Sequence, residues 1–158
     1  MGSEMCIRDR GMGLLGNALV AYSLCEKGFN VVLEPIVVES KCRNIIEEGA
    51  LFDVAFRIRS SKEFIVLLEV KLYRKASENV PAFNNVDKVY ERIGTFKLHT
   101  VLRHCNAIPI GVILELASLP KKAKLAPYIL RVDKVQGKRA CKRIYNAIIG
   151  FLERKNIL

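Results

Sequence analysis

The stretch from Leu51 to Lys71, LFDVAFRIRSSKEFIVLLEVK, decides the fold, because it predicts two apolar strands joined by a polar turn. The turn is centred near Ser61. Residue numbers of partners in an antiparallel hairpin have a constant sum, which here is about twice 61. Asp53 and Glu69 meet this condition, so we expect them to face each other with Cβ atoms roughly 4.5–5.5 Å apart.

Three charged side chains interrupt the apolar strands, namely Asp53, Glu69 and Lys71. Because side chains alternate between the two faces of a strand, we expect all three on one side, near the open end of the hairpin. A charge within a buried strand is costly unless it is paired, solvated or bound to metal, so the three together predict a site. The opposite face is predicted to carry the apolar residues Phe52, Val54, Phe56, Ile58, Val66, Leu68 and Val70.

Composition limits the class of protein. A chain of 158 residues that is 51% hydrophobic is expected to fold as a single domain with its own core. It has no apolar run of about 18 residues and no secretory leader, so we expect a cytoplasmic protein that does not enter a membrane. The net charge of +10 favours a polyanionic partner, nucleic acid above all.

The five cysteines show no CxxC spacing, which argues against a zinc site. The first ten residues, MGSEMCIRDR, have no clean period and no apolar face. They resemble translated read-through of a sequencing adaptor, so we interpret residues 1–10 as a non-native extension. Residues 11–158 are then expected to form the single domain.

Periodicity and turn signals predict further elements around the hairpin. The predicted order is α-β-β-β-α-β-β-α, which indicates an α/β fold with a mixed central sheet and helices on both faces. The helical crossover from Glu69 to Ile108 would make those two strands parallel. The predicted elements are helices at Gly13–Lys27, Asn85–His104 and Gly137–Lys155 and strands at Phe29–Glu34, Ile108–Leu116 and Tyr128–Val132.

The charged cluster suits phosphodiester hydrolysis. Mg²⁺ (or Mn²⁺) prefers hard oxygen ligands and is commonly held by one or two carboxylates. Such a cation activates a water molecule and neutralises charge on the phosphate. Asp53 and Glu69 fit the ligand role, the Val70 carbonyl could add a ligand, and Lys71 could orient or deprotonate the water, or stabilise the phosphate charge.

Asp53, followed after fifteen residues by Glu69-Val70-Lys71, resembles the PD-(D/E)xK nuclease superfamily. The resemblance covers roughly Gly13 to Leu116. It implies a restriction-endonuclease-like αβββαβ core, with Asp53 and Glu69 as metal ligands and Lys71 as the catalytic lysine. The opening helix, GFNVVLEP, the hairpin and the ExK motif together are closest in look to archaeal Holliday-junction resolvases.

The chain departs from the family pattern at two places. Phe52 stands where Pro is common in the superfamily, and Asn17 stands near the place of the resolvases' first-helix Glu. A third carboxylate could be Glu26, Glu34 or Glu48, and the sequence leaves that choice open.

Basic residues outside the hairpin are candidates for binding the nucleic-acid backbone, although such residues also occur on ordinary solvated surfaces. Two lie on the second predicted helix and three on the loop after the fourth strand. We also consider Tyr73, just after the ExK motif, as a phosphate contact. The basic candidates are Lys88, Arg92, Lys121, Lys122 and Lys124.

The sequence therefore predicts a metal-dependent DNA endonuclease, acting on branched or damaged DNA if the resolvase resemblance holds. Many nucleases of this size act on two strands as homodimers, which the resemblance allows here. The first alternative is a non-catalytic nucleic-acid-binding protein of the same fold. The second is a protein-interaction module whose basic surface provides solubility.

Overall fold

A computed structural model of the chain describes residues 2–34, 52–75, 83, 86–87, 107–118 and 127–158, with side chains from residue 13 onward. Its elements follow the predicted order as far as they are described. They are α1 (Gly2–Cys25), β1 (Val31–Leu33), β2 (Val54–Arg59), β3 (Glu63–Tyr73), β4 (Ala107–Glu115), β5 (Ile129–Val132), a 3-10 helix (Gly137–Arg139) and α2 (Ala140–Arg154).

The five strands form one mixed sheet in the spatial order β1-β2-β3-β4-β5. Strand β2 runs antiparallel to both of its neighbours, β1 and β3, whereas β4 runs parallel to β3 and β5 parallel to β4. The predicted α/β class, the parallel third and fourth strands and the last strand are therefore confirmed. Helix α1, three antiparallel strands and parallel β4 follow the order of the αβββαβ core, whose second helix lies largely outside the described residues.

The hairpin has the predicted register. Val54 pairs with Leu68, and every pair down to Arg59 and Glu63 keeps the sum expected from a turn at Ser61. The ladder begins at Val54, so Asp53 lies at a bend just before β2. Its backbone N–H still donates a 3.0 Å hydrogen bond to the carbonyl of Leu68, which keeps Asp53 close to β3.

The sheet separates two apolar clusters. The helix-side core contains six of the seven hairpin residues predicted to share a face, together with residues of α1 and α2. Phe52 was predicted to join them, and that prediction is wrong. The bend at Asp53 breaks the alternation, so Phe52 packs in the other cluster, here called the opposite-side core. The opposite-side core consists of Phe52, Ala55, Leu67, Phe83, Val86, Ala107, Ile113 and Ile129.

Helix α2 covers the helix-side core, as its spacing predicts. Ile144, Ile148 and Leu152 recur at i, i+4 and i+8 and are fully buried, and each such side chain contributes about 1.5–3 kcal/mol relative to exposure. Neither α1 nor α2 is long and apolar enough to cross a membrane.

Helix α1 packs on the same side but turns a different face inward than the sequence predicts. Leu14, Leu15 and Tyr22 recur at helical spacing, which predicts a buried stripe, yet they are 64%, 48% and 61% exposed. Val20 and Leu24 are buried instead, one and two turns after Gly16. The helix also begins at Gly2, so it includes most of the segment interpreted as a non-native extension.

The close approach at Gly16 explains which face of α1 is buried. A Cβ atom on Gly16 would lie 3.2 Å from Cβ of Leu72 and 3.4 Å from Cγ1 of Val70. A glycine here lets the helix backbone rest directly on β3, which a leucine at the same position would prevent. The contact determines the rotation of the helix and so leaves Leu14 and Leu15 outside.

The opposite face of the sheet is covered by Phe83 and Val86, both fully buried. Val86 and Asp87 are helical, as the prediction of a helix from Asn85 requires. The remainder of that predicted helix, to His104, lies outside the described residues. Both α1 and α2 pack on the helix side. The helix predicted for the other face of the sheet is described only at Val86 and Asp87.

Candidate metal centre

Asp53 is fixed at the open end of the hairpin by three hydrogen bonds. Its Oδ2 accepts the backbone N–H of Val70 at 2.7 Å. Its own N–H donates to Leu68, and its carbonyl accepts the N–H of Glu34 at 2.9 Å. Because these bonds run between neighbouring strands, the Asp53 carboxylate lies close to the plane of the sheet, at the bend that directly precedes β2.

The surroundings of Asp53 favour the neutral carboxyl. Burial raises the pKa of Asp53 above its ordinary value, and the nearby charge of Glu34 raises it further. The Val70 N–H, a hydrogen bond from the Asn17 side chain and the charge of Lys71 lower that pKa without cancelling the effect of burial. Additional positive charge beside Asp53 would therefore stabilise its carboxylate.

Glu69 and Lys71 lie two residues apart on β3 and are both half-buried. Oε2 of Glu69 accepts a long, 3.5 Å hydrogen bond from the N–H of Val86. Nζ of Lys71 lies 5.6 Å from the centre of the Phe83 ring. Since Val86 and Phe83 belong to the opposite-side core, both charged side chains project to that face, as predicted.

Lys71 lies near enough to Asp53 for its charge to lower the pKa of that carboxyl, and Glu69 lies two residues before Lys71 on β3. Asp53 differs from the other two because it lies at the level of the sheet, with Asn17 of α1 beside it. The N–H and C=O of a strand residue point to the same side, so the Val70 carbonyl also faces the gap before β2. Asp53 and the backbone of Val70 are therefore in contact, and Glu69 directly precedes Val70 on β3.

The donor set suits a hard cation. Asp53, Glu69 and the Val70 carbonyl offer only oxygen, and Asn17 Oδ1 is a buried oxygen without a hydrogen-bond partner in the described part of the chain. Mg²⁺ and Mn²⁺ prefer such ligands. Within that same part, no group of three His, Cys, Asp or Glu side chains could hold a metal ion.

The three candidates for a third carboxylate are placed differently. Glu34 adjoins Asp53 through the backbone hydrogen bond and affects its pKa. Glu26 is exposed beyond the end of α1, nine residues after Asn17 or about 13 Å along the helix axis. Glu48 lies outside the described residues.

All five basic candidates lie outside the described residues, namely Lys88, Arg92, Lys121, Lys122 and Lys124. Tyr73 is half-buried against the opposite-side core, and burial together with the charge of Glu115 raises the pKa of its hydroxyl. Two exposed basic residues that the sequence reasoning passed over, Arg74 and Lys75, directly follow Tyr73. They extend the positive charge of Lys71 beyond the end of β3.

A buried ion pair near the same end of the sheet was also missed. Nε and Nη2 of Arg131 lie 2.7 Å and 2.6 Å from Oε1 of Glu115, and each side chain is only 1% exposed. Both residues interrupt apolar strands, which is the signal that identified the hairpin charges. A charged residue within the apolar segments YILRV and IPIGVILEL therefore predicts a paired or functional charge at Arg131 and at Glu115.

Comparison with known proteins adds little to these observations. No family model matches the chain, and no curated protein matches it. Its fold is similar to that of the MspJI restriction endonuclease in complex with a 27-mer oligonucleotide, at 16% sequence identity and a TM-score of 0.38. The similarity covers 87% of this chain and 27% of that one. At this TM-score it carries no argument, so the α/β class rests on the sheet itself.

Proposed function

We propose that this protein is a divalent-metal-dependent DNA endonuclease that hydrolyses phosphodiester bonds at the end of β3. The observation that carries the proposal is the Asp53 carboxylate, bound to the Val70 N–H at 2.7 Å between the two residues of the Glu69–Lys71 pair. A pair of carboxylates with an adjacent lysine provides both cation ligands and a free ammonium group. That combination fits phosphate chemistry better than a structural ion pair. A structural ion pair would not require the half-buried carboxylate of Asp53 to lie next to a second acidic residue, Glu34.

Each residue has a separate role in the proposed reaction. Asp53 and Glu69, with the Val70 carbonyl, bind Mg²⁺ or Mn²⁺, which when bound lowers the pKa of a water ligand and neutralises phosphate charge. Lys71 reaches the same face as Glu69 and stabilises charge on the phosphate or orients the water. Phe83, 5.6 Å from Lys71 Nζ, limits where the ammonium group can move.

DNA is the proposed substrate because of charge. The chain carries a net charge of +10, and Arg74 and Lys75 are exposed next to the candidate centre. Phosphate contacts from such residues supply affinity that does not depend on base sequence. We further propose that the substrate is branched or damaged DNA, because the hairpin and the opening helix resemble those of resolvases.

A non-catalytic nucleic-acid-binding protein of the same fold is the second candidate. One observation favours it, namely that the described residues supply two carboxylates and no cluster of three acidic or metal-binding side chains. In that case Asp53 and Glu69 would serve the hairpin alone. Mg²⁺ would then change neither DNA integrity nor DNA affinity.

Cleavage of DNA separates the two candidates. We would incubate the full chain with supercoiled plasmid, a four-way junction and single-stranded DNA, with Mg²⁺, Mn²⁺ or EDTA. We expect metal-dependent cutting that Asp53→Ala abolishes and that Lys71→Ala reduces about 10²–10³-fold, the usual cost of removing one group that stabilises charge in the transition state. Lys62→Ala is the matched control, because Lys62 is exposed in the turn, about 30 Å along β3 from Lys71.

Two results would contradict the enzyme proposal. One is a wild-type protein that cuts none of the three substrates with either metal. The other is cutting that survives in Asp53→Ala, which would indicate a contaminating nuclease. Intact DNA together with salt-sensitive binding would instead support the second candidate.

The proposal extends to a homodimer, because cutting both strands of a duplex requires two copies of a single site. Sedimentation equilibrium should then give about twice the 17.8 kDa mass of one chain. A monomer under cleavage conditions would limit each binding event to one strand.

A further inference from the structure

Helix α1 brings one amide side chain to the candidate centre. At Gly16 its backbone lies so close to β3 that an added Cβ would be 3.2 Å from Cβ of Leu72. The next residue, Asn17, is therefore held close to β3, the strand that carries Glu69 and Lys71. Its side chain hydrogen-bonds Asp53 across the open end of the hairpin.

The two ends of the Asn17 amide have different surroundings. Because Oδ1 of Asn17 has no hydrogen-bond partner among the described residues, the hydrogen bond to Asp53 is donated by the Nδ2 group of Asn17. The amide oxygen, Oδ1, is buried and has no hydrogen-bond partner among the described residues. Leaving such an acceptor unsatisfied in a protein interior is unfavourable, and native structures seldom do so without a functional reason.

We propose that Asn17 completes the cation site, with Nδ2 orienting the Asp53 carboxylate and Oδ1 serving as a neutral oxygen ligand. This inference rests on the proposed function and assigns a residue to the same centre. An amide oxygen is a hard ligand of the kind that divalent cations accept alongside carboxylates. Binding would satisfy the orphaned oxygen and keep the hydrogen bond to Asp53.

The neutral charge of Asn17 has a consequence for affinity. Ligand charge is one determinant of how tightly a carboxylate site holds its cation. Asp53 and Glu69 bring two negative charges, and an aspartate at position 17 would bring a third at nearly the same place. That third charge would strengthen cation binding, yet it would repel Asp53 in the metal-free protein.

Mn²⁺ binding to the full chain, measured by electron paramagnetic resonance without DNA, tests the inference. Asn17→Leu removes both amide atoms at similar volume and should weaken Mn²⁺ binding about 10–100-fold, as loss of a supporting ligand does. Asn17→Asp should bind Mn²⁺ more tightly than the wild type and melt at a lower temperature in EDTA. Asn146→Leu, at an exposed position on α2, controls for the same change in a helix and should leave binding unchanged.

The two Asn17 variants distinguish a ligand from a residue that only orients Asp53. If Asn17 only orients Asp53, Asn17→Asp loses the Nδ2 donor without adding a ligand, so it does not bind Mn²⁺ more tightly than the wild type, and the inference is overturned. Unchanged binding in Asn17→Leu overturns it as well. A wild-type protein that binds no Mn²⁺ refutes the proposed metal centre itself, whereas binding and cleavage that are indifferent to Asn17 refute only its role as a ligand.

Discussion

Replacing Gly111 with alanine tests the packing beneath the candidate centre. Gly111 is the partner of Glu69 in the parallel β3–β4 pair. A Cβ atom added there would lie 2.9 Å from both Cγ and Cδ1 of Phe83. Carbon atoms pack best at about 3.5–4.0 Å, so the ring would have to move by roughly 0.6 Å or more.

The cost of that movement follows from the burial of Phe83. Its side chain is 0% exposed and packs within the opposite-side core, so the ring has no open space to enter. Overpacking of this kind costs about 1–3 kcal/mol. Alanine also recovers about 0.5–1 kcal/mol that glycine loses inside a strand. We therefore expect Gly111→Ala to lower the free energy of unfolding by about 1–2 kcal/mol.

Urea unfolding of the metal-free protein gives this number directly. Gly150→Ala is the matched control, because Gly150 lies in α2 and its added Cβ would meet only Nη1 of Arg154, at 3.4 Å. That control should be neutral or stabilising by up to about 1 kcal/mol. The same Gly111→Ala change in a Phe83→Leu background should cost much less, because the smaller side chain relieves the contact.

A Gly111→Ala protein as stable as the wild type would refute the reasoning. So would an equal cost in the Phe83→Leu background, because the destabilisation would then have another source. Lys71 Nζ lies over the Phe83 ring, so a displaced ring should also displace the ammonium group. We therefore expect weaker cleavage by Gly111→Ala at temperatures where the variant is fully folded.

Three further results are expected. Because burial raises the pKa of Asp53, folding is favoured below its unfolded value of 3.8 and that advantage is lost as pH rises through the folded value. Asp53→Asn should therefore be more stable than the wild type in urea unfolding at pH 7 in EDTA, with a smaller difference near pH 3.5, and a loss of stability at pH 7 would contradict this. Glu115→Leu alone should lower the free energy of unfolding by about 3–5 kcal/mol, and adding Arg131→Met should restore most of that loss. Equal stability of the single and double variants would show that the pair is not buried as described. Arg74→Ala with Lys75→Ala should make the salt dependence of DNA binding shallower, by about one to two in logarithmic slope, and an unchanged slope in gel shifts would exclude both residues from the interface.

The hairpin was predictable because its determinants are local. A polar turn between two apolar runs sets the register, and a shift of one residue would move every side chain to the wrong face. The observed pairing of Val54 with Leu68 follows from that requirement. The prediction failed at the bend before β2, where the alternation of faces no longer applies: Phe52 packs in the opposite-side core, and Asp53 lies at the level of the sheet.

The orientation of α1 was not predictable from its own sequence. Leucines at positions 14 and 15 satisfy a helical stripe, yet contact with β3 selects the face that contains Gly16. Similarly, Glu115 and Arg131 lie 16 residues apart, and only the parallel pairing of β4 with β5 brings them together. Sequence patterns report what one element prefers, whereas these contacts depend on which elements become neighbours.

The most direct test of the candidate centre is a crystal structure of the protein with Mn²⁺, using anomalous scattering to locate the ion. We predict an anomalous peak at the end of β3, with carboxylate oxygens of Asp53 and Glu69 about 2.0–2.2 Å away, near the ideal for small divalent cations. An ion-free centre in which Lys71 is paired with these carboxylates, in crystals that contain excess Mn²⁺, would contradict it.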